Sequence, residues 1–361
     1  MKWFLTIGLV TVLTACGADS KQTASTQAAA QQTYKWKLVT SWPKNFPGLG
    51  TAPEHFAERV NAMSGGRLTI QVFGANQLVP ALQVFDAVSS GTVEMGHSGA
   101  YYWKGKAPAA QFFSAVPFGM TAQEMSSWLH YGGGMELWEE VYAPFNLVPL
   151  AGGSTGVQMG GWFNKEINSV DDLKGLKMRL PGLGGEVLSR MGGVPVSLPG
   201  GEIFTSLQTG AIDATEWVGP YNDLAFGLHE AAQFYYYPGW HEPGSVLEFI
   251  VNQEALAELP SDLQAIVRNA ARAVNQDMID EYTFRNIEAL KTIQAMEGIQ
   301  IKRFPDEVLS ALRIETEQLL KEQAAADPMV SKVYASFSEF KEGVTAYHNL
   351  TERAYLDLRG E

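Results

Sequence analysis

The amino-acid sequence predicts an α/β protein built from two lobes and followed by a helical C-terminal part. Strand-like and helix-like segments alternate from residue 34 to about 100 and again from about 150 to 250, which is typical of sheets of parallel strands covered by helices. The two stretches also repeat one short unit. With 361 residues, 46% of them hydrophobic, the chain is long enough for two large cores.

The N-terminus has the character of a targeting segment. Lys2 precedes an apolar run over residues 3–15, which is shorter than the roughly 20 residues of a bilayer span but suits a signal peptide. The run ends in LTAC, which resembles the bacterial lipobox, and Cys16 is the only cysteine. We therefore expect a signal peptide over residues 1–15 and a lipidated, flexible tether over residues 16–33. The alternative is a plain signal peptide with an incidental cysteine.

The first predicted lobe covers residues 34–150, together with part of residues 250–300. KWKLVTSW, RLTIQVF and TVEMGHS are predicted strands. Helices are predicted between them, from Pro53 to Ser64 and over ALQVFDAVSS. The alternation of strand and helix indicates a parallel sheet in this lobe.

The second predicted lobe covers residues 151–249. KMRL, VPVSL, AIDATEW and VLEFIVN are its predicted strands, and GEVLSRM and EIFTSLQT its helices. FTSLQTGAIDATEW repeats the pattern of FDAVSSGTVEMGHS, a helix, a glycine cap and a strand. If the repeat is more than generic α/β patterning, His97 and Glu216 lie at equivalent strand ends. Ligands bind beyond the carboxyl ends of such strands, so both residues are expected in one cleft.

Residues 250–361 are predicted to supply a return strand, a long helix and C-terminal helices. Ser261 starts a helix that runs to about Glu297 and is long enough to lie across both lobes. IQIKRF is a strand, and residues 306–326 form another helix. The last segment carries an apolar stripe with alternating steps of three and four: Val330, Val333, Phe337, Phe340, Val344 and Tyr347. Such a stripe packs either on its own body or on the equivalent helix of a second copy.

The charge of the chain limits the class of ligand. A net charge of −13 argues against nucleic acid or anionic lipid, both of which need a basic surface. An anionic ligand must therefore meet a local positive group. Arg179 ends the predicted strand in LKGLKMRLPG, where its guanidinium can offer two parallel hydrogen bonds to a carboxylate. The alternative is an exposed surface arginine.

An acid stands beside an aromatic residue in GAIDATEWVGPYN. Glu216 and Trp217 end the predicted strand, just before Gly219 and Pro220 turn the backbone. Glu216, the Trp217 carbonyl and Glu242 in GWHEPG are oxygen donors that suit sodium or calcium. The alternative is that Glu216 pairs with an arginine or lysine of the protein.

Other residues are candidates for the same site or its walls. Gln158 lies among glycines in GGSTGVQMGG, where the chain could cross between lobes or form a plain hinge, and His241 stands beside Glu242. Five aromatic residues are predicted to line a pocket, Tyr101, Trp103, Trp162, Trp217 and Trp240, whereas Trp36, Trp128 and Trp138 are assigned to the core. No nucleophile elbow, phosphate-binding loop or zinc-protease motif is present. The sequence therefore predicts a protein that is not an enzyme.

These motifs together resemble the solute-binding proteins of tripartite ATP-independent periplasmic (TRAP) transporters. LKGLKMRLPG, GAIDATEW and FIVNQEAL carry the resemblance, which extends over nearly the whole chain from residue 34. Gln158, the Glu216–Trp217 pair and GWHEPG resemble the branch that binds 2-oxo acids or lactate with a cation. The resemblance implies a two-lobed periplasmic-binding-protein fold. It also implies that Gln158 and Arg179 hold the acid and that Glu216, Trp217 and Glu242 hold sodium or calcium; Tyr101 and Trp217 are expected to contact the substrate.

The resemblance further implies a periplasmic receptor, attached to a membrane through lipid on Cys16, that delivers a monocarboxylate such as pyruvate or lactate to permease subunits. Some members of the family form dimers by exchanging a C-terminal helix, which suits the apolar stripe. Two other functions are compatible with the sequence. One is an enzyme acting on a small organic acid, and the other is a ligand-binding partner of a signalling receptor.

Overall fold

The chain folds into two sheets surrounded by helices in a computed structural model that describes Trp3 and residues 32–360. The predicted signal peptide apart from Trp3, the lipobox, Cys16 and nearly all of the predicted tether lie outside the described residues. Among the described residues, no helix combines the length and the apolar character needed to cross a membrane.

The described part of the chain contains eleven strands and thirteen α-helices. The strands are β1 (Tyr34–Thr40), β2 (Leu68–Phe73), β3 (Met95–Ser98), β4 (Leu147–Gly156), β5 (Gly161–Phe163), β6 (Lys177–Arg179), β7 (Val194–Val196), β8 (Ala214–Thr215), β9 (Phe234–Tyr237), β10 (Ser245–Asn252) and β11 (Gln300–Arg303). The helices are α1 (Ala52–Met63), α2 (Val84–Ser89), α3 (Ala122–Tyr131), α4 (Gly134–Tyr142), α5 (Gly182–Arg190), α6 (Gly200–Gln208), α7 (Pro220–Ala225), α8 (Leu228–Ala231), α9 (Gln253–Glu258), α10 (Ser261–Gln294), α11 (Asp306–Ala326), α12 (Pro328–Leu350) and α13 (Glu352–Arg359).

The strands form two separate sheets. The first has the order β2-β1-β3-β10-β4 and the second the order β11-β9-β5-β8-β6-β7. The predicted parallel pairing is present among β1, β2 and β3 and among β6, β7 and β8. Both sheets also contain antiparallel pairs, because β10 runs antiparallel to β3 and β4, and β5 runs antiparallel to β8 and β9. Each sheet is therefore mixed, with both parallel and antiparallel neighbours, as is common in large sheets.

One predicted strand was assigned to the wrong sheet. VLEFIVN was counted with the second unit, but as β10 it pairs with β3 and β4 in the first sheet. All eight residues of β10 are buried, and a continuously buried strand carries no alternation that would identify its neighbours. The predicted strand AIDATEW is also shorter than expected. Only Ala214 and Thr215 pair, so Glu216 and Trp217 follow the strand.

Two segments join the sheets close to each other. Residues 157–160 lead from β4 in the first sheet to β5 in the second, and residues 238–244 return from β9 in the second sheet to β10 in the first. We call them the outgoing and the returning connector. The backbone N–H of Gly239 donates to the carbonyl of Gln158 at 2.9 Å, and the N–H of Gln158 donates to the carbonyl of Glu242 at 3.2 Å. The connectors are therefore hydrogen-bonded to each other.

The long helix α10 reaches both parts of the molecule. It packs against β4 of the first sheet and against α7, which follows β8 of the second sheet. The predicted helix from Ser261 is thus confirmed, although it ends at Gln294 rather than near Glu297. The predicted helix over residues 306–326 is confirmed as α11.

The apolar stripe on α12 is divided between the body and the solvent. Asp327 caps the helix by accepting hydrogen bonds from the N–H groups of Met329 and Val330 at 2.8 and 2.9 Å. Val330, Val333 and Phe337 are then buried in the core of this chain. The stripe becomes exposed toward its end, and 63% of Tyr347 is accessible. Phe340 and Val344 are partly buried against the same core, so all of the stripe except Tyr347 packs on its own body.

Candidate functional site

A small cavity lies where the two sheets and their connectors meet. Its walls come from both sheets and from both connectors: Trp42, Leu49, Tyr101, Tyr102, Thr155, Gln158, Arg179, Trp217, Val218, Glu242, Ser245 and Leu247. The space left between these side chains is about 10 Å³, room for about one water molecule. A larger ligand therefore fits only if the walls move apart.

Arg179 is a buried cation in this cavity. It is the last residue of β6 and is 1% exposed, so the alternative of a surface arginine is wrong. Its Nη1 forms an ion pair with Oε1 of Glu216, and its Nη2 donates to the hydroxyl of Tyr102 at 3.0 Å. Its Nε donates to the carbonyl of Leu198 at 3.3 Å. Burial is the largest single effect and opposes the charge of the guanidinium, but Glu216, Tyr102, Tyr101 and Glu242 together outweigh it and raise the pKa of Arg179.

Glu216 is the direct partner of that guanidinium. It follows β8 and is 1% exposed, and its backbone N–H donates to the carbonyl of Arg179 at 3.2 Å. The contact that the sequence left open as an alternative, an ion pair of Glu216 with a protein arginine, is thus present. The second carboxylate oxygen, Oε2, is 3.7 Å from Nε2 of His241. A buried carboxylate requires partners of this kind, because an unpaired one is strongly destabilising.

Gln158 and Glu242 join the outgoing and returning connectors through their side chains as well. Nε2 of Gln158 donates to Oε2 of Glu242 at 2.8 Å. The same amide nitrogen is 3.1 Å from the hydroxyl of Thr155 and 3.3 Å from that of Ser245. The hydroxyl of Ser245 also donates to Oε2 of Glu242. These contacts fix two polar side chains at the junction of the two sheets.

Glu242 is an acid that resists ionisation. Burial, and next the neighbouring charge of Glu216, raise the pKa of Glu242 to about 7, although His241, Ser245 and Arg179 act in the opposite direction. Burial and the charge of Glu216 therefore both favour the protonated form of Glu242. A positive charge placed beside it would favour the carboxylate form.

The site offers a donor set that fits a hard cation. One ligand atom each from Glu216, His241 and Glu242 lie within 4.8 Å of one another. Within the described part of the chain, Oε1 of Gln158 and both ring nitrogens of His241 are buried without a hydrogen-bond partner. Two buried acids face one arginine, so a bound cation would balance the excess negative charge. Carboxylate and carbonyl oxygens suit sodium or calcium, whereas the imidazole is a ligand for transition metals.

The aromatic residues predicted for the pocket divide into two groups. Tyr101 and Trp217 line the cavity. The prediction is wrong for the other three, which are buried elsewhere. Trp103 donates to Glu248 at 2.5 Å, Trp162 donates to Asp223 at 3.1 Å and stacks on Tyr235, and Trp240 stacks on Phe118. Their indole groups donate to buried acids or stack on other aromatic rings. Residue type alone does not distinguish such tryptophans from those that line a pocket.

His97 does not line the cavity. It is fully buried, and its Nδ1 accepts a hydrogen bond from Nε1 of Trp42 at 2.8 Å. Its Nε2 is 3.1 Å from the carbonyl of Gly152. Burial lowers the pKa of His97 to about 4, so the ring is neutral at pH 7 and holds Trp42 in place. The expected meeting of His97 and Glu216 in one cleft is therefore wrong, although His97 supports a wall of the cavity.

Sequence reasoning missed four polar or aromatic wall residues, Trp42, Tyr102, Thr155 and Ser245. Trp42 directly follows β1 and Tyr102 follows β3. Their position after the carboxyl ends of neighbouring parallel strands was a usable signal. Thr155 and Ser245 lie on the antiparallel pair β4 and β10, whose pairing the sequence did not predict.

Comparisons with known proteins place this geometry in context. The family model for DctP, described as bacterial extracellular solute-binding protein, family 7, matches residues 38–327. A relative from Nostoc sp., the monocarboxylate 2-oxoacid-binding periplasmic protein, is 44% identical over 350 residues, which cover 97% of this chain and 96% of the relative.

Solved structures are similar over nearly the whole described fold. A TRAP periplasmic solute-binding protein from Colwellia psychrerythraea with bound calcium and pyruvate is 47% identical, with a TM-score of 0.88, and the match covers 90% of this chain and 99% of that one. A counterpart from Pseudoalteromonas atlantica with bound sodium and pyruvate is 46% identical, with a TM-score of 0.88 and the same coverage. A third, a dimer from Bordetella bronchiseptica with calcium and picolinate in one of its sites, is 37% identical, has a TM-score of 0.89, and matches over 91% of this chain and 97% of that one.

Proposed function

Because the chain belongs to the DctP family of bacterial extracellular solute-binding proteins, we propose that it binds a small 2-oxo acid such as pyruvate together with sodium or calcium. As the extracytoplasmic receptor of a TRAP transporter, it presents this ligand to the permease subunits in the membrane. Members of this family are binding proteins of transport systems and not enzymes. The two-lobed fold is the one shared by the TRAP solute-binding proteins described above.

One observation carries the proposal. A fully buried arginine, Arg179, faces two buried acids, Glu216 and Glu242, in a small cavity between the two sheets. A planar guanidinium in a small closed space is well suited to hold a carboxylate by two hydrogen bonds. The two acids would repel an anionic ligand unless a cation accompanied it.

We assign the roles of the site residues as follows. Arg179 and Gln158 hold the organic acid, while Tyr101 and the side chain of Trp217 form walls against it. Glu216, the backbone carbonyl of Trp217 and Glu242 would hold the cation, which supplies the positive charge that allows a second carboxylate close to Glu216. The buried, unpartnered Oε1 of Gln158 supports a polar contact with the ligand or the ion.

The ion pair between Arg179 and Glu216 also indicates that acid and cation bind in a coupled way. Oε1 of Glu216 already occupies Nη1 of Arg179. An incoming carboxylate must share or take over this edge of the guanidinium, which requires a new partner for Glu216. The binding of acid and cation should therefore be coupled, each strengthening the other.

Titration calorimetry tests the proposal directly. The purified protein should bind pyruvate in the presence of calcium or sodium and far more weakly when both are replaced by a bulky organic cation. Pyruvate recovered unchanged after incubation argues for a receptor, whereas a converted product would favour the enzyme. No heat with any 2-oxo acid or lactate in the presence of either cation would contradict the proposed ligand class.

We propose that the boundaries between the two lobes lie in the two connectors. Predicted boundaries near residues 150 and 250 fall close to them, but β4 extends to Gly156 and β10 begins at Ser245 in the first sheet. Residues 157–160 and 238–244 are therefore better limits for the second lobe.

We propose further that the protein is attached to a membrane through lipid on Cys16. The LTAC sequence after an apolar run of residues 3–15 supports this. The wild-type protein expressed in a Gram-negative host should enter the detergent phase on phase separation, and Cys16→Ser should remain in the aqueous phase. Equal partitioning of both would argue for a plain signal peptide.

We also propose a homodimer formed through the C-terminal helices. Beyond the buried part of the α12 stripe, five large apolar residues are exposed: Tyr347, Leu350, Tyr355, Leu356 and Leu358. They continue the stripe onto α13 and remain largely accessible to solvent. A second copy of the same helices is the occupant that fits this face, and the related Bordetella bronchiseptica protein is a dimer.

A further inference from the structure

We infer that the ring of Tyr101 limits the chain length of the acid that the cavity accepts, because this ring separates the cavity from a second pocket. The inference rests on the proposed function, since it concerns the same ligand site. It assigns to one side chain the selection between short and long 2-oxo acids.

The second pocket lies on the other side of the two neighbouring tyrosines. Tyr101 and Tyr102 line both the ligand cavity and this pocket, which has a volume of about 240 Å³. Leu180, Pro181, Pro195 and Val196 give it apolar walls. An aliphatic chain would therefore find both space and a suitable surface there.

Two glycines leave room for the side chain of Tyr101 by lacking a Cβ. A Cβ on Gly99 would lie 3.2 Å from Cζ of Tyr101, and a Cβ on Gly182 would lie 3.1 Å from its Cβ. Gly182 has a φ of +63°, a conformation that side chains with a Cβ rarely adopt. Tyr101 is only 8% exposed, and its ring meets that of Tyr102 edge to face at 4.6 Å. The ring is thus fixed as a wall.

The opposite walls of the cavity offer no such space. Trp42, Trp217 and Leu247 belong to a buried core cluster, and the indole of Trp42 is held by the hydrogen bond to His97. Enlarging the cavity on that side would leave a void in the core, which destabilises a protein in proportion to its volume. Removal of the Tyr101 ring instead joins two spaces that already exist.

Selection by Tyr101 predicts a clear order of ligands. The parent protein should prefer pyruvate to a straight-chain 2-oxo acid of six carbons, because the longer chain meets the ring. In Tyr101→Ala the added chain can enter the second pocket. Transfer of each methylene from water to an apolar site contributes about four-fold in affinity. Three added methylenes could therefore shift the ratio of dissociation constants toward the long acid by on the order of ten-fold or more.

Titration calorimetry with calcium present measures this ratio for the parent, Tyr101→Ala and two further variants. Tyr101→Ala combined with Ser197→Phe refills the second pocket, which Ser197 lines, and should return the ratio toward that of the parent. Tyr102→Phe keeps a ring but removes the hydroxyl that accepts from Arg179. It should weaken both acids about equally and leave their ratio unchanged. If Tyr101→Ala does not fold, Tyr101→Leu provides the shortened side chain.

The outcomes separate this inference from the proposed function. If the parent binds pyruvate but a folded Tyr101 variant keeps the parental ratio, the wall is elsewhere and the proposed function stands. A gain that persists after Ser197→Phe would also overturn the inference, because the chain would not lie in the second pocket. If the parent binds no 2-oxo acid, both proposals fall.

Discussion

At the scale of single residues, the central feature is that Arg179 and Glu216 are each other's partner and are both 1% exposed. An ion pair removed from water contributes little net stability, because desolvation offsets most of the attraction, but loss of one member is strongly destabilising. The pair is better understood as the resting state of a binding site. Its two members are the groups to which we assign the acid and the cation.

Replacement of Arg179 by lysine tests whether two parallel N–H donors of the guanidinium hold the carboxylate of the ligand. The positive charge stays, but the planar pair of donors is lost, so we expect pyruvate to bind about 30-fold more weakly, equivalent to about 2 kcal/mol. Titration calorimetry provides the affinity. Lys177→Arg, a change at an exposed residue of the same strand, is the matched control. Affinity in Arg179→Lys equal to that of the parent would mean that the carboxylate is held elsewhere.

Replacement of Glu216 by glutamine tests the coupling of acid and cation. In the parent, pyruvate at about 100 times its dissociation constant should stabilise the fold by about 2.7 kcal/mol, and removal of calcium and sodium should shrink the resulting shift in melting temperature. In Glu216→Gln the shift should be small and insensitive to the cation, because the anionic oxygen is lost.

Glu202→Gln, at an exposed position of α6, serves as the control for Glu216→Gln and should behave like the parent. The shift in melting temperature that pyruvate causes in the parent also tests whether a cation takes part in binding. If it is undiminished after complete removal of both cations, Glu216 acts only as the ion-pair partner of Arg179.

Glu248 gives rise to a pH dependence that is separate from the ligand site. Burial raises its pKa to about 7, although hydrogen bonds from Tyr142 and Trp103 act against the shift. An acid whose pKa is higher in the folded state than in the unfolded state favours folding most at low pH. That advantage is lost as the pH rises from the unfolded pKa of about 4.5 to the folded value of about 7.

The measurable consequence is a difference between the parent and Glu248→Gln, which cannot ionise. From pH 5 to 7, the free energy of unfolding of the parent should fall relative to that of the variant by a few kcal/mol, because one pKa unit corresponds to about 1.4 kcal/mol. Urea unfolding at half-unit pH intervals measures both. A constant difference between the two proteins would show that Glu248 ionises normally.

At the scale of elements, the apolar stripe of α12 has a buried part that packs in the core and an exposed end that we propose forms the dimer. Phe337 packs edge to face with Trp128 at 5.3 Å inside the chain, whereas Tyr347 and Leu350 are exposed. Phe337→Glu should therefore destabilise each subunit, by about 3 kcal/mol or more, because it buries a charge in the core. The double variant Tyr347→Glu with Leu350→Glu should leave the melting temperature of the subunit nearly unchanged and yield monomers.

Light scattering and thermal unfolding distinguish the two effects. Both are measured on protein that lacks the residues before Cys16 and carries Cys16→Ser. Glu342→Gln, a change at an exposed position on the same helix, is the neutral control. A parent protein that is monomeric at micromolar concentration would contradict the proposed dimer.

The elements also show what the sequence could and could not predict. Long helices could be predicted, as α11 demonstrates, because a periodic pattern over 21 residues and acidic residues in the first turn define it locally. The sheet to which β10 belongs was not accessible, because all its residues are buried and its partners β3 and β4 lie about 100 or more residues away. Arg179 and Glu216 could be singled out by position after a strand, but their direct contact depends on the pairing of β6 with β8.

At the scale of the whole molecule, the closed cavity requires movement. Arg179, Glu216 and Glu242 are at most 4% exposed, so an acid cannot reach them unless the two lobes separate. We expect the protein to sample an open form without ligand and to close on the acid and cation.

Small-angle X-ray scattering should thus give a larger radius of gyration for the protein without ligand than for the protein with pyruvate and calcium. Arg179→Ala, which lacks the proposed contact with the carboxylate, should not contract when pyruvate is added. A radius that is the same in both states of the parent would contradict closure as the binding step.

The hydrogen-bonded connectors restrict how this receptor can diverge during evolution. Gln158 and Glu242 line the cavity and at the same time join the two connectors, on which we expect the lobes to turn. A substitution at either residue should therefore change both the recognition of the ligand and the equilibrium between the open and closed forms. Relatives that acquire new ligands without changing that balance must therefore vary at walls away from the connectors, and a census of such relatives should find Gln158 and Glu242 more constant than Tyr101.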